Sequence, residues 1–260
     1  MEKVAIISKF NLLFCYNMTE KVNLDDINYI QYGNENGKDI VLLHGWGQNI
    51  EMMKPLGDLL ANSYHITIID LPGFGVSKEP SIVLNVMDYT EIVHTLLENL
   101  KVKKPTLIGH SFGGRISICY GATYEVEKLV LCGAPCVKTK KNLTLKEKML
   151  KSAKKLPGME KLAGIAKNYI GSTDYKNASP MMRDILVKVV GEDLSDYAKK
   201  IKVPVILIWG EYDEAVPLEE GRMLEKLLPD GAMIVLPGTH YAYLENLYQV
   251  GAIINKFMKE

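Results

Sequence analysis

A mostly parallel, doubly wound α/β sheet with a helical insertion is the fold this sequence predicts, on three observations. Short apolar runs at 39–43, 65–69, 106–110, 128–132, 203–209 and 232–236 are unbroken, without period-two alternation. That pattern suits parallel strands covered on both faces. Between the runs, apolar residues recur at helical spacing over 52–60, 86–100, 112–123, 218–228 and 243–258. Several runs end in a glycine-containing segment, at the carboxyl ends of the strands, where sheets of this kind bind ligands.

Taken in order, residues 22–32 alternate apolar and polar, with Asp25-Asp26 as a turn between two edge strands. The run at 39–43 closes on His44-Gly45-Trp46-Gly47, and that at 65–69 on Asp70-Leu71-Pro72-Gly73-Phe74-Gly75. The run at 106–110 enters Gly109-His110-Ser111-Phe112-Gly113, followed at once by a helix. Residues 137–196 break the rhythm. They hold no good strand candidate but several helical stretches, 145–156 and 181–190 among them, and carry 13 basic against 7 acidic residues. Two readings of that bias stand: a solvated helical surface, or a lid whose lysine-rich side favours an anionic partner. The expected division is a core of 22–136 and 197–260 with a helical cap of 137–196 inserted after the sixth strand. Residues 1–21 are expected to form an extension outside the core. Their apolar patch (Phe10, Leu12, Leu13, Phe14) is too short and interrupted for a secretory signal, and Met18 offers a cleaner start than Met1.

Composition excludes more than it selects. The 260 residues include 47% apolar and 24% charged, ordinary for a globular chain. Lys plus Arg and Asp plus Glu both number 31, so net charge gives no reason to expect nucleic acid as a partner. No apolar stretch reaches the roughly 20 residues needed to cross a bilayer, so no stable membrane insertion is expected. Cys15, Cys119, Cys132 and Cys136 lack Cys-x-x-Cys spacing, and free thiols in the cytoplasm are the simplest account. No metal site and no cofactor motif is visible.

The chemistry gathers at the strand ends. Gly109-His110-Ser111-Phe112-Gly113 fits Gly-x-Ser-x-Gly, a sharp strand-to-helix turn that holds a serine hydroxyl in front of the sheet. A bare match of this length also arises in an ordinary glycine-rich turn. A serine needs a base to take its proton. Of five histidines, His44 reads as structural, His65 and His94 fall at a strand start and on a helix, and His110 points away from its neighbour's side chain. His240, in the loop after the last strand, remains. Asp213, in the loop after the penultimate strand, is the candidate acid to orient it, with Glu211 and Glu214 as solvent-facing competitors. The backbone N–H groups of Phe112 and Trp46 are candidate donors to an oxyanion, with Gly47 as the fallback for Trp46. Trp46, Phe112 and Tyr241 are candidate walls of a substrate pocket, although an aromatic at 46 suits plain packing equally.

The landmarks at 44–47, 70–77, 109–114, 210–213 and 238–240 together resemble those of the α/β-hydrolase superfamily, in order, from about residue 22 to the end. The resemblance implies that fold, a Ser111–Asp213–His240 triad, and a serine hydrolase acting on carboxylic esters of small to medium acyl groups. The first two landmarks resemble the pimeloyl-carrier-protein methyl ester esterases, which implies a small-molecule ester substrate with an acyl-carrier protein as a further partner. The third, with Arg115 following, is similar to the menaquinone-pathway synthases, so a lyase or C–C bond hydrolase with the same triad is the alternative. A non-catalytic binding module is a third. Thr239 stands where the family usually has glycine, and Leu247 where a proline often follows.

Overall fold

The computed structural model describes residues 22–137 and 173–260. The expectations for 1–21, Cys15 and the helix at 145–156 lie outside the described residues.

Seven strands form one sheet: β1 (Tyr29–Gly33), β2 (Asp39–Leu43), β3 (His65–Ile69), β4 (Thr106–His110), β5 (Leu129–Cys132), β6 (Val205–Gly210) and β7 (Gly231–Leu236). Their order is β1-β3-β2-β4-β5-β6-β7, and all pairs are parallel except β1 with β3. The helices are α1 (Ile50–Leu60), α2 (Val86–Asn99), α3 (Phe112–Thr123), α4 (Thr173–Asn177), α5 (Pro180–Val190), α6 (Ser195–Ala198), α7 (Leu218–Leu227), α8 (Ala242–Glu245) and α9 (Leu247–Phe257).

The unbroken apolar runs have the predicted cause. Successive strand side chains point to opposite faces, and here both faces are buried. Val41, Leu43, Leu107, Leu129, Leu131 and Leu207 join α2 and α3 in one core. Ile40, Leu42, Ile108, Val130, Ile206 and Ile208 join α1 and α9 in the other. The helix behind the serine, α3, is the most enclosed, with every residue from Phe112 to Tyr120 buried.

Two expectations need correction. Residues 22–32 do not form two strands. Leu24–Asp26 is a 3-10 turn, with the Asn23 side chain accepting the Asp25 N–H at 3.2 Å, and only Tyr29–Gly33 is extended. Among the described residues, five strands precede the insertion. The final helix is also not continuous. It breaks at Asn246, whose side-chain amide donates to Pro237 O at 2.7 Å and Ala242 O at 3.0 Å.

The insertion leaves the sheet between β5 and β6, which pair directly with each other. Its base is closed by a bond from Leu194 N–H to Cys136 O at 2.9 Å. Arg115 of α3 clamps both sides, donating to Pro135 O at 3.0 Å and Glu192 O at 2.7 Å.

Asp70, just after β3, is the main buried strut beneath the loops. Its carboxylate accepts Ile50 N–H at the start of α1 (2.7 Å), Val76 N–H (2.9 Å) and the Asn28 side chain (2.8 Å). Gly75, at φ 55°, passes so close that a Cβ would lie 2.2 Å from Asp70 Oδ2. Replacing Asp70 by alanine strands one buried and two part-buried donors, at up to about 1–3 kcal/mol each. We expect Asp70→Ala to lower stability by about 3 kcal/mol or more, read from the urea midpoint; a shift under a third of that would show water replacing the carboxylate.

Candidate functional site

Ser111 sits where β4 turns into α3, at φ 48° and ψ −107°. It occupies the N-cap position, yet its side chain caps nothing, because this backbone geometry turns the hydroxyl away from the helix. The turn is held by Ser111 N–H to Cys132 O (2.9 Å) and Gly113 N–H to His44 O (3.0 Å). It also needs its glycines: a Cβ at Gly109 would lie 2.5 Å from Gly113 O, and one at Gly113 only 2.2 Å from Leu43 O.

Asp213 and His240 come from the loops after β6 and β7. The Asp213 side chain is fully buried and that of His240 is 15% exposed. Asp213 Oδ1 accepts the N–H groups of Ala215 (2.9 Å) and Val216 (2.8 Å), leaving Oδ2 2.8 Å from His240 Nδ1. Trp209 Nε1–H donates to Val216 O at 2.8 Å and steadies the acid loop. Two backbone bonds, Glu211 N–H to Leu236 O and Tyr212 N–H to Gly238 O, both 2.9 Å, tie that loop to the end of β7 and its following loop. The competing Glu211 and Glu214 are exposed, as expected.

The ring of His240 lies over Gly133, the residue after the carbonyl that accepts the Ser111 N–H. A Cβ at Gly133 (φ 52°) would stand 3.1 Å from the imidazole and 3.3 Å from Asp213 Oδ2. Serine turn, imidazole and carboxylate thus meet above β4 and β5. Gly133 was not singled out from the sequence, although a glycine directly after a predicted strand was its available signal.

Trp46 and Phe112 flank the turn from the other side. Neither backbone N–H has a hydrogen-bond partner among the described residues. The half-buried indole of Trp46 packs edge-on against Phe74 (4.8 Å between centroids) and Phe112 (5.4 Å), and Phe112 against Tyr89 (5.0 Å). The Phe112 ring, 3% exposed, is therefore enclosed by other aromatics. Tyr241 is 40% exposed with its ring 5.8 Å from that of His240.

The other histidines are engaged elsewhere. His44 donates Nδ1–H to Gly45 O (2.7 Å) and accepts the Leu71 N–H at Nε2 (3.0 Å). His65 contacts Asp39 at 2.8 Å, and His94 stacks on Tyr124 at 3.6 Å. Burial pushes the free thiols of Cys119, Cys132 and Cys136 up to about 12, so none is poised as a nucleophile. Among the described residues no group of three or more His, Cys, Asp or Glu is placed to hold a metal, and no helix is long and apolar enough to cross a membrane.

Known proteins match this arrangement. The family described as alpha/beta hydrolase fold matches residues 39–162. A bromoperoxidase from Bacillus anthracis superposes with a TM-score of 0.73 over 92% of this chain and 99% of its own, at 23% identity. The chain has the α/β-hydrolase fold. Among sequences of that kind, the uncharacterized hydrolase YugF of Bacillus subtilis is 27% identical over 84% of this chain and 89% of its own length. A pimeloyl-[acyl-carrier protein] methyl ester esterase of Aliivibrio fischeri is 25% identical over 79% and 87%. Arg115, which follows the landmark similar to the menaquinone-pathway synthases, is spent on two backbone carbonyls at the base of the insertion.

Buried neutral histidines make the fold acid-sensitive. Burial lowers His44 to about 4 and His110 to about 3, from an ordinary 6.5. Below pH 6.5 the unfolded chain takes up protons these folded rings refuse, so stability falls as pH falls. For His44 the limit is about 3 kcal/mol. The urea midpoint should drop steadily from pH 6.5 to about 5, before carboxylates titrate in the unfolded chain; a flat profile there contradicts the assignment.

Proposed function

We propose that this chain is a serine hydrolase cleaving carboxylic esters of small to medium acyl groups through an acyl-enzyme. The observation that carries the proposal is the fully buried Asp213 carboxylate, 2.8 Å from His240 Nδ1, with the imidazole seated beside the Ser111 turn. A carboxylate at Nδ1 keeps the proton there, which leaves Nε2 as the basic nitrogen. In the proposed reaction Nε2 takes the Ser111 proton as Oγ adds to the ester carbonyl. The charge on the carbonyl oxygen is met by the Phe112 and Trp46 amides, whose N–H groups have no partner among the described residues. Fixed donors of this kind are worth roughly 3 kcal/mol each in acyl transfer. The imidazolium then protonates the departing alcohol, and water activated by the same nitrogen releases the acid and restores Ser111.

Similarity to a relative named as a methyl ester esterase supports an ester over a thioester or a carbon–carbon bond. That relative acts on an acyl-carrier-protein-bound ester, which keeps a carrier protein open as the substrate's bearer here. Asp213 supports the reaction indirectly, by presenting and stabilising His240, so its loss leaves the nucleophile intact but the base wrongly protonated.

Purified protein should hydrolyse p-nitrophenyl esters and be labelled at Ser111 by a fluorophosphonate probe. Ser111→Ala should abolish both, and Asp213→Asn should cut kcat by about 10⁴ with little loss of folding. Retention of turnover by Ser111→Ala would overturn the reading, and absence of labelling in the intact protein would favour a binding role.

A further inference from the structure

His110 precedes the serine, and its side chain is fully buried on the opposite side of the turn. Its Nε2 lies 3.0 Å from the backbone oxygen of His240, 130 residues away in the chain. Its Nδ1 lies 3.2 Å from Gln48 Oε1, which also accepts the Gly45 N–H at 3.0 Å. The two imidazoles are 4.8 Å apart, and the Tyr243 ring closes the far side of His110 at 4.7 Å.

We infer that His110 is a positioning residue, whose Nε2–H grips the His240 carbonyl and holds the base loop over the serine turn. The inference rests on the triad reading above. Both ring nitrogens face an oxygen that only accepts, so a neutral ring donates to one of them, and the His240 contact binds when the proton sits on Nε2 rather than on the Nδ1 that faces Gln48. Groups that face the ring are His240, Tyr241, Tyr243 and His44, with Gln48 at its edge, and no carboxylate is among its hydrogen-bond partners. It therefore stays uncharged while His240 cycles between imidazole and imidazolium.

The placement matters because the base loop has few other anchors on the serine side. From outside, Glu245 accepts both the N–H and the hydroxyl of Thr239 at 2.7 Å, which gives the threonine a use at that position. From inside, His110 is the side chain hydrogen-bonded to His240's own backbone among the described residues. It belongs to the same β4 end as Ser111, so serine and base are registered through one rigid strand.

His110→Phe keeps a ring but removes the N–H, and His110→Gln restores a donor of similar reach. Expected is a fall in kcat of about 10- to 100-fold for the phenylalanine variant, with KM changed by less than about 2-fold, and partial recovery in the glutamine variant. Equal kcat in intact protein and His110→Phe, with Ser111 still labelled, would overturn this inference and leave the triad standing. Failure of the intact protein to label would instead bring down the triad reading beneath it. If His110→Phe does not fold, side-chain ¹⁵N spectra of the intact protein decide: an Nε2-protonated neutral ring at pH 6.5 supports the inference, and an Nδ1–H tautomer overturns it.

Discussion

A residue with a side chain held at positive φ is the constraint on which this architecture depends. Ser111 at φ 48° and ψ −107° is strained by roughly 1–3 kcal/mol, and the strain persists only because its surroundings leave no alternative. The Cys132 carbonyl holds its N–H, Gly113 is bonded back to His44, and α3 is buried along its first nine residues. Relaxing the serine would pull a buried helix off two neighbouring strands. The strain is offset by the core, and it leaves an N-cap serine whose hydroxyl makes no cap bond to its own helix.

Legibility from sequence followed the range of the interaction. Features set by local periodicity were read well: six of the seven strands, the turn at 109–113 and the helix over 86–99. The Asp213 carboxylate also makes local bonds, accepting the N–H groups two and three residues further on. Contacts that exist only after folding were not legible. Nothing near Gly133 in the chain announces that an imidazole from residue 240 will rest on it, and His110 bonds across 130 residues. The errors had the same origin. Alternation over 22–32 suggested paired strands, but Asn23 captures the backbone into a 3-10 turn; regular spacing over 243–258 hid Asn246, whose amide prefers the carbonyl of Pro237.

Arg115 shows how burial changes the meaning of a charge. In sequence it follows the landmark that is similar to the menaquinone-pathway synthases. In the fold it is enclosed, desolvation opposes its charge, and the nearby Glu192 favours it. Its five donors make it suited to gripping carbonyls from two chain segments at once.

That grip also separates two histories within one chain. Leu194 N–H meets Cys136 O while Arg115 spans Pro135 and Glu192, so the sequence between leaves and returns through a fixed gate. Lengthening a loop whose ends are already joined costs only about 0.6 kcal/mol per doubling. The described part of that stretch is nonetheless tied to the core, since Met182, Ile185 and Val189 of α5 are buried in it with α2 and α3. For an engineer, the gate marks where the inserted residues join the sheet, and α5 marks how far the core reaches into them.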